Sequence, residues 1–202
     1  MADPTPRQMK HFWDLVGQGL VNSENFQQYL EHPNSSPTAA IDPPEFKVFT
    51  TILLGAGPKT ADEFCEVLEA ADCRVSDWAR DILAKPAFKA ASEATEVDLV
   101  VATVRELGFP EGATYREICD QASKHGLELC PAEVGPQLRL QYLSQPMSEW
   151  LIIAMEPITD SGGVLDVFGV KHDDDGRLLD AHYGDPGCHW SPDRCFVFVR
   201  RK

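Results

Sequence analysis

The chain is poor in positive charge. Of its 202 residues, 18 are lysine or arginine against 32 aspartate or glutamate, giving a net charge of −14. This balance argues against a protein that holds nucleic acid by broad phosphate neutralisation, and against attraction to an anionic membrane surface. No apolar run approaches the roughly 20 residues needed to span a bilayer. The first thirty residues lack the basic start, apolar stretch and small-residue cleavage site of a secretory leader, so a cytoplasmic location is expected. Several catalytic signatures are also missing. There is no Gly-x-Ser-x-Gly elbow and no phosphate-cradling Gly-x4-Gly-Lys-Ser/Thr loop. Gly55-Ala56-Gly57 has no following glycine at the dinucleotide spacing, and no Cys-x2-Cys pair exists. No cofactor is implied.

What is present is an ordinary folded composition, 43% hydrophobic and 25% charged. The six cysteines, Cys65, Cys73, Cys119, Cys130, Cys188 and Cys195, are read as reduced, mostly buried thiols of a cytosolic protein. His182, Cys188, His189 and Cys195 cluster near the C-terminus. Their spacing matches no common zinc knuckle, so packing rather than metal binding is expected there.

Residues 1–45 read as an appendage. Met9, Phe12, Trp13 and Val16 fall at helical spacing over residues 6–16, and Ser23 can cap a second helix over residues 23–31. A proline-rich linker follows, through Pro33, Pro37, Pro43 and Pro44. Residues 46–202 form the main domain, with a possible sub-boundary near residue 110. Residues 46–54 are apolar and β-branched, and can be either a strand or a short buried helix. Thr60 and Glu63 form a capping box for a helix to about residue 71, and Ser76 caps another carrying Trp78 and Ile82. Thr114 and Glu117 repeat the box for a helix stopped by Gly126, and a further helix is expected over residues 131–143. The two capped threonines lie 54 residues apart, an offset that fits a helical pair duplicated once; two independently capped helices would look the same. After Pro146 the period becomes that of strands. Residues 149–156, 164–171, 177–183 and 195–200 are expected as a four-stranded antiparallel meander, with turns at Asp160-Ser161-Gly162-Gly163 and Asp173-Asp174-Asp175-Gly176. The expected fold is thus α+β: a helical N-terminal two-thirds followed by that meander.

Helix 114–125, Gly126, helix 131–143 and a hairpin follow the order of a helix-turn-helix or winged helix. The second helix would present Glu133, Gln137, Arg139 and Gln141 to a groove, although one arginine in a negative field attracts few phosphates. A Cys–His nucleophile from Cys119 or Cys130 with His125 is disfavoured, since positions six apart on a helix do not share a face. Glu133, Glu149 and Glu156, or Asp160 with Asp173 and Asp175, are conceivable carboxylate groups for acid–base or cation chemistry. At the junction of helix and sheet, Arg139, Gln141, Tyr142, Gln145, Glu149 and Trp150 crowd together. They can pair internally, as Arg139 with Glu149, or line a recognition cleft.

The run from Gly126 to Tyr142 (GLELCPAEVGPQLRLQY) is distinctive. With Thr60-Ala61-Asp62, Ser76-Asp77-Trp78-Ala79 and the ending Phe196-Val197-Phe198-Val199-Arg200-Arg201-Lys202, it resembles a widespread family of small uncharacterised bacterial proteins. Some members carry a helicase label, which the missing nucleotide motif here does not support. The resemblance implies a bacterial intracellular domain and transfers no catalytic residue.

The leading expectation is a non-enzymatic intracellular module that binds a protein partner through Glu133, Gln137, Arg139, Gln141 and Tyr142. The alternatives are a winged-helix nucleic-acid binder, a small enzyme using Glu133, Glu149 or Cys130, and an acidic mimic of DNA.

Overall fold

The structure, a computed structural model, describes residues 46–201. The two helices and the linker expected before residue 46 lie outside the described residues. The ambiguous apolar run is a strand, β1 (Val48–Leu54). It leads into α1 (Ala61–Ala70), whose N-terminus carries the expected capping box. Glu63 N–H donates to Thr60 Oγ1 at 3.3 Å, and Thr60 N–H donates back to Glu63 Oε2 at 3.2 Å. Asp72, at φ 56°, turns the chain into β2 (Cys73–Val75). Ser76 then caps α2 (Asp77–Leu83), its Oγ accepting from Ala79 N–H at 3.2 Å.

A long strand follows, β3 (Thr95–Thr103), then β4 (Ala113–Thr114) and α3 (Tyr115–Lys124) with its own capping box. Gly126, at φ 73°, ends that helix, and β5 (Leu127–Glu128) and α4 (Val134–Gln141) come next. The remainder is β6 (Trp150–Ile153), β7 (Ile158–Thr159), β8 (Leu165–Asp173), β9 (Gly176–Tyr183), β10 (His189–Trp190) and β11 (Cys195–Arg200). The sequence of forms after Thr60 does recur after Thr114: capped helix, left-handed residue, short strand, helix. The pairing does not recur, because β2 runs parallel to β9 whereas β5 runs antiparallel to β11.

Nine strands form one curled, mixed sheet in the order β1-β3-β11-β6-β8-β9-β2, with β5 on β11 and β7 on β8. This corrects the expected α+β fold. Among the described residues there are four short helices, and strands dominate from the start of the domain to its end. Two elements account for the difference. Residues 95–103 form a central strand whose partner Cys195–Arg200 lies about a hundred positions away, so nothing local announces it. β11 does not close a C-terminal meander beside β9. It inserts between β3 and β6, antiparallel to the first and parallel to the second. Its run Phe196, Val197 and Phe198 is buried on both faces, the pattern of a central strand rather than an edge.

The helix-turn-helix expectation is corrected as well. β5 intervenes between α3 and α4, and the two helices cover opposite faces of the sheet. Phe196, Ile152 and Gly169 are register partners and share one face, where Tyr115 of α3 packs 6.0 Å from Phe196 between ring centroids. Phe168 neighbours Gly169 and so points to the other face. There Gly135 of α4 sits so close that an added Cβ would fall 2.7 Å from the Phe168 side chain. Glycine at 135 lets the helix approach the strand. α3 and α4 therefore cannot present a helix pair to a DNA groove.

Candidate functional site

The residues expected as a recognition strip form two internal networks around α4. Glu133 is buried, and its carboxylate bridges its own helix to two loops. It accepts from Gly55 N–H at 2.8 Å, Ala91 N–H at 2.7 Å and Gln137 Nε2 at 3.0 Å. Gln137, also buried, donates to Ala56 C=O at 3.2 Å and accepts from Gln141 Nε2 at 3.0 Å. Gln141 is exposed, yet its amide clasps the strand end: it accepts from Leu53 N–H and donates to Leu53 C=O, each at 2.9 Å. Residues 133, 137 and 141, one turn apart, thus lace α4 to β1 and to two loops.

Arg139 belongs to the second network and is 0% exposed. It donates to Gln145 Oε1, to Lys171 C=O at 3.2 Å and to Tyr142 C=O at 2.6 Å. Burial pushes its pKa down from the ordinary arginine value. Glu149 is not its ion-pair partner. Tyr142 is half-buried, packs edge-on to Phe49 at 5.1 Å, and has its phenol pushed up to about 12 by burial and then by the Glu149 carboxylate. The structure brings all five residues to α4 and its two caps, but it turns Glu133, Gln137 and Arg139 inward.

The other sequence candidates do not converge on a reactive centre. Cys130 is buried, donates to Val197 C=O at 3.3 Å, and is raised by desolvation far above the ordinary thiol range. Asp173 and Asp175 lie at the β8–β9 hairpin, where Asp173 pairs with Arg74 at 2.7 Å. Asp160 lies beside the opposite end of β8. No group of three or more His, Cys, Asp or Glu side chains among the described residues is placed to hold a metal ion. Of the C-terminal cluster, His182 accepts from an indole, while His189 and Cys195 sit on strands that pair with β4 and β3.

A cavity of about 410 Å³ lies elsewhere, around the end of β9. Trp78, Trp150, Trp190 and Tyr183 line it together with Asp160, Asp166, Val164, Ala181, His182 and Cys188. Its two sides follow from the strand alternation. Asp166 and Tyr183 are register partners on one face of the sheet, and Val167 and His182 are partners on the other.

On the carboxylate side, the turn after β7 holds Asp160. Its Oδ1 accepts from Gly162 N–H at 2.8 Å and Val164 N–H at 2.7 Å. Nearby, Asp81 accepts from Ser161 N–H at 2.6 Å and Ser161 Oγ at 2.7 Å, with Lys85 Nζ 3.0 Å away. Those hydrogen bonds bring its carboxyl down to about 2. Asp166 differs from both. It is only 6% exposed, and among the described residues its carboxylate has neither a hydrogen-bond nor an ion-pair partner. Burial, then the charges of Asp160 and Asp81, push it up to about 6. Trp78, 60% exposed, and Tyr183, 68% exposed, also line the cavity.

On the aromatic side, Trp150 donates through Nε1 to His182 Nε2 at 2.9 Å. Gly169 leaves room for this pair, since a Cβ there would lie 2.6 Å from the imidazole. Arg194 stacks its guanidinium 4.2 Å from the centre of the Trp150 ring, so this wall already carries one planar cation. Trp190 packs edge-on to Phe196 at 5.3 Å, and its buried Nε1 has no partner among the described residues. At neutral pH His182 is uncharged, because burial holds its pKa down to about 4.

In the sequence pattern Trp78, Asp160 and His182 fall on a helix, a turn and a strand, and Asp166 has no assigned role. One signal was available. On the alternating strand Asp166 shares a face with Phe168 and Val170, where a carboxylate is out of place.

No family model, curated protein or solved structure matches this chain. No helix among the described residues is long and apolar enough to cross a membrane.

Proposed function

We propose that this protein is a non-enzymatic interaction module that binds a protein partner through a cationic side chain seated against Asp166. One observation carries this reading: a mostly buried carboxylate, without a partner among the described residues, on the wall of a cavity with aromatic sides. Partly desolvating an unpaired charge is costly, and no internal contact of the described residues offsets it here. A guanidinium or ammonium would supply the missing charge, and Trp78 and Tyr183 offer rings over which such a cation can lie. The negative field of the chain would draw a basic partner toward the site. The unpaired cysteines support a reducing, cytoplasmic setting.

The test uses N-acetylarginine methylamide and its uncharged citrulline counterpart, followed by the amide NMR shifts of residues around Asp166. The arginine compound is expected to shift them in a saturable way and the citrulline compound to leave them in place. Asp166→Asn should abolish the arginine response. Equal responses to the two compounds, or an undiminished response in the variant, would overturn the reading.

A further inference from the structure

The edge of β9 beside the cavity bears on the form in which a partner presents its cation. β2 covers only Arg177–Leu179 of that strand. Ser76 N–H donates to Leu179 C=O at 3.0 Å, and there the chain leaves the sheet edge to begin α2. From residue 180 to residue 183, β9 has β8 on one side and no strand on the other among the described residues. Main-chain groups alternate in direction along a strand. Since Leu179 C=O points to β2, the N–H and C=O groups of Ala181 and Tyr183 point to the same open side. Ala181, His182 and Tyr183 are also lining residues of the cavity.

The open edge is short, and one of its donors is plugged. Ala181 N–H donates to the carboxylate of its own neighbour, Asp180, at 3.0 Å. A local side-chain plug of this kind blunts an edge against indiscriminate pairing and can yield to a competing carbonyl. Asp180 itself is anchored by Lys171 Nζ at 3.5 Å.

We propose that the protein binds an extended basic peptide by strand addition to residues 180–183 of β9, with one cationic side chain of the peptide reaching Asp166. This rests on the cation reading above and adds to it main-chain pairing and a sequence pattern. Alternate side chains of an added strand face opposite sides of the sheet. One set meets Asp166, Asp160 and Tyr183. The other meets Trp150, His182 and Trp190. The preferred peptide therefore alternates, with a basic residue flanked on both sides by apolar ones. Charge complementarity selects such a peptide over an acidic one, because Asp166 and Asp160 both line the groove.

The experiment compares three probes on the full chain by calorimetry: the peptide acetyl-Thr-Val-Arg-Val-Thr-amide, the same peptide N-methylated at both valines, and N-acetylarginine methylamide alone. The unmodified peptide is expected to bind at least tenfold more tightly than the single arginine. N-methylation should return its affinity to that of the single arginine, and hydrogen exchange of the Tyr183 amide should slow only with the unmodified peptide. If the methylated peptide binds as tightly as the parent, or the peptide gains nothing over arginine alone, strand addition is wrong while the cation pocket stands. If neither arginine nor peptide binds, the pocket reading fails and strand addition with it.

Discussion

Trp150 donates its indole N–H to Nε2 of His182 across 2.9 Å, with the two ring centres 4.6 Å apart. The bond fixes the imidazole tautomer, because Nε2 must stay unprotonated to accept. Burial supports the same state, holding the pKa down to about 4 from 6.5. The stability that His182 contributes is therefore present above pH 6.5 and lost as pH falls toward 4.

Asp166 acts with the opposite sign. Its carboxyl moves up from 3.8 to about 6, so its contribution is full below pH 3.8 and lost as pH rises through 6. The two windows overlap between about 4 and 6, and there the two groups offset each other. Replacing Asp166 with asparagine leaves the histidine slope alone. Urea midpoints measured across pH 4 to 6.5 should rise with pH more steeply in Asp166→Asn than in the parent. Parallel curves would contradict the assignment.

Gly169→Ala tests the room that this pair needs. A methyl 2.6 Å from the His182 ring must displace it and break the Trp150 bond. A loss of about 1–3 kcal/mol is expected, within the range for overpacking a well-filled site. The tryptophan emission should shift with it, and an unchanged urea midpoint would show that the ring moves freely.

Arg139→Ala should be severe. It strips the partner from Gln145, from Lys171 C=O and from Tyr142 C=O in a site where the arginine is fully buried. Leaving buried acceptors without their donor costs about 1–3 kcal/mol, and the emptied arginine volume adds a cavity penalty. Circular dichroism during urea titration measures it. A mild loss would mean that water replaces the guanidinium. Because of this cost, Arg139→Ala cannot serve as a probe of partner binding.

Gln141→Leu removes the clasp on Leu53 and leaves an N–H and a C=O of an edge strand unpaired. A loss of about 1 kcal/mol is expected, together with a greater tendency to self-associate through β1. Sedimentation velocity reads the second effect. Variants at Trp78 and Tyr183 contrast with this one. Both side chains are exposed, so alanine there should change stability by no more than about 0.5 kcal/mol, while weakening arginine binding several-fold.

Local signals are legible in the sequence. The boxes at Thr60 and Thr114, the cap at Ser76 and the Asp-Gly hairpin at Gly176 each depend on residues three or four apart, and each forms. What escaped was non-local. The partner of Thr95–Thr103 lies at Cys195–Arg200, and that pairing draws a strand out of the expected meander into the middle of a mixed sheet. The polar face of residues 133, 137 and 141 has helical spacing whether it meets solvent or a strand end, and here it meets Leu53, Gly55 and Ala56. The cavity joins residues from position 78 to position 190, so no motif could have outlined it, although the carboxylate beside Phe168 and Val170 was a clue.

If Asp166 is kept unpaired for a ligand at the expense of the fold, Asp166→Asn must show it directly, in thermal unfolding and N-acetylarginine methylamide titration performed on the same sample at pH 7.5. The melting temperature should rise by about 3 °C or more, as a partly desolvated charge is removed, and arginine binding should be lost. A lowered melting temperature, or binding that survives the substitution, would contradict it.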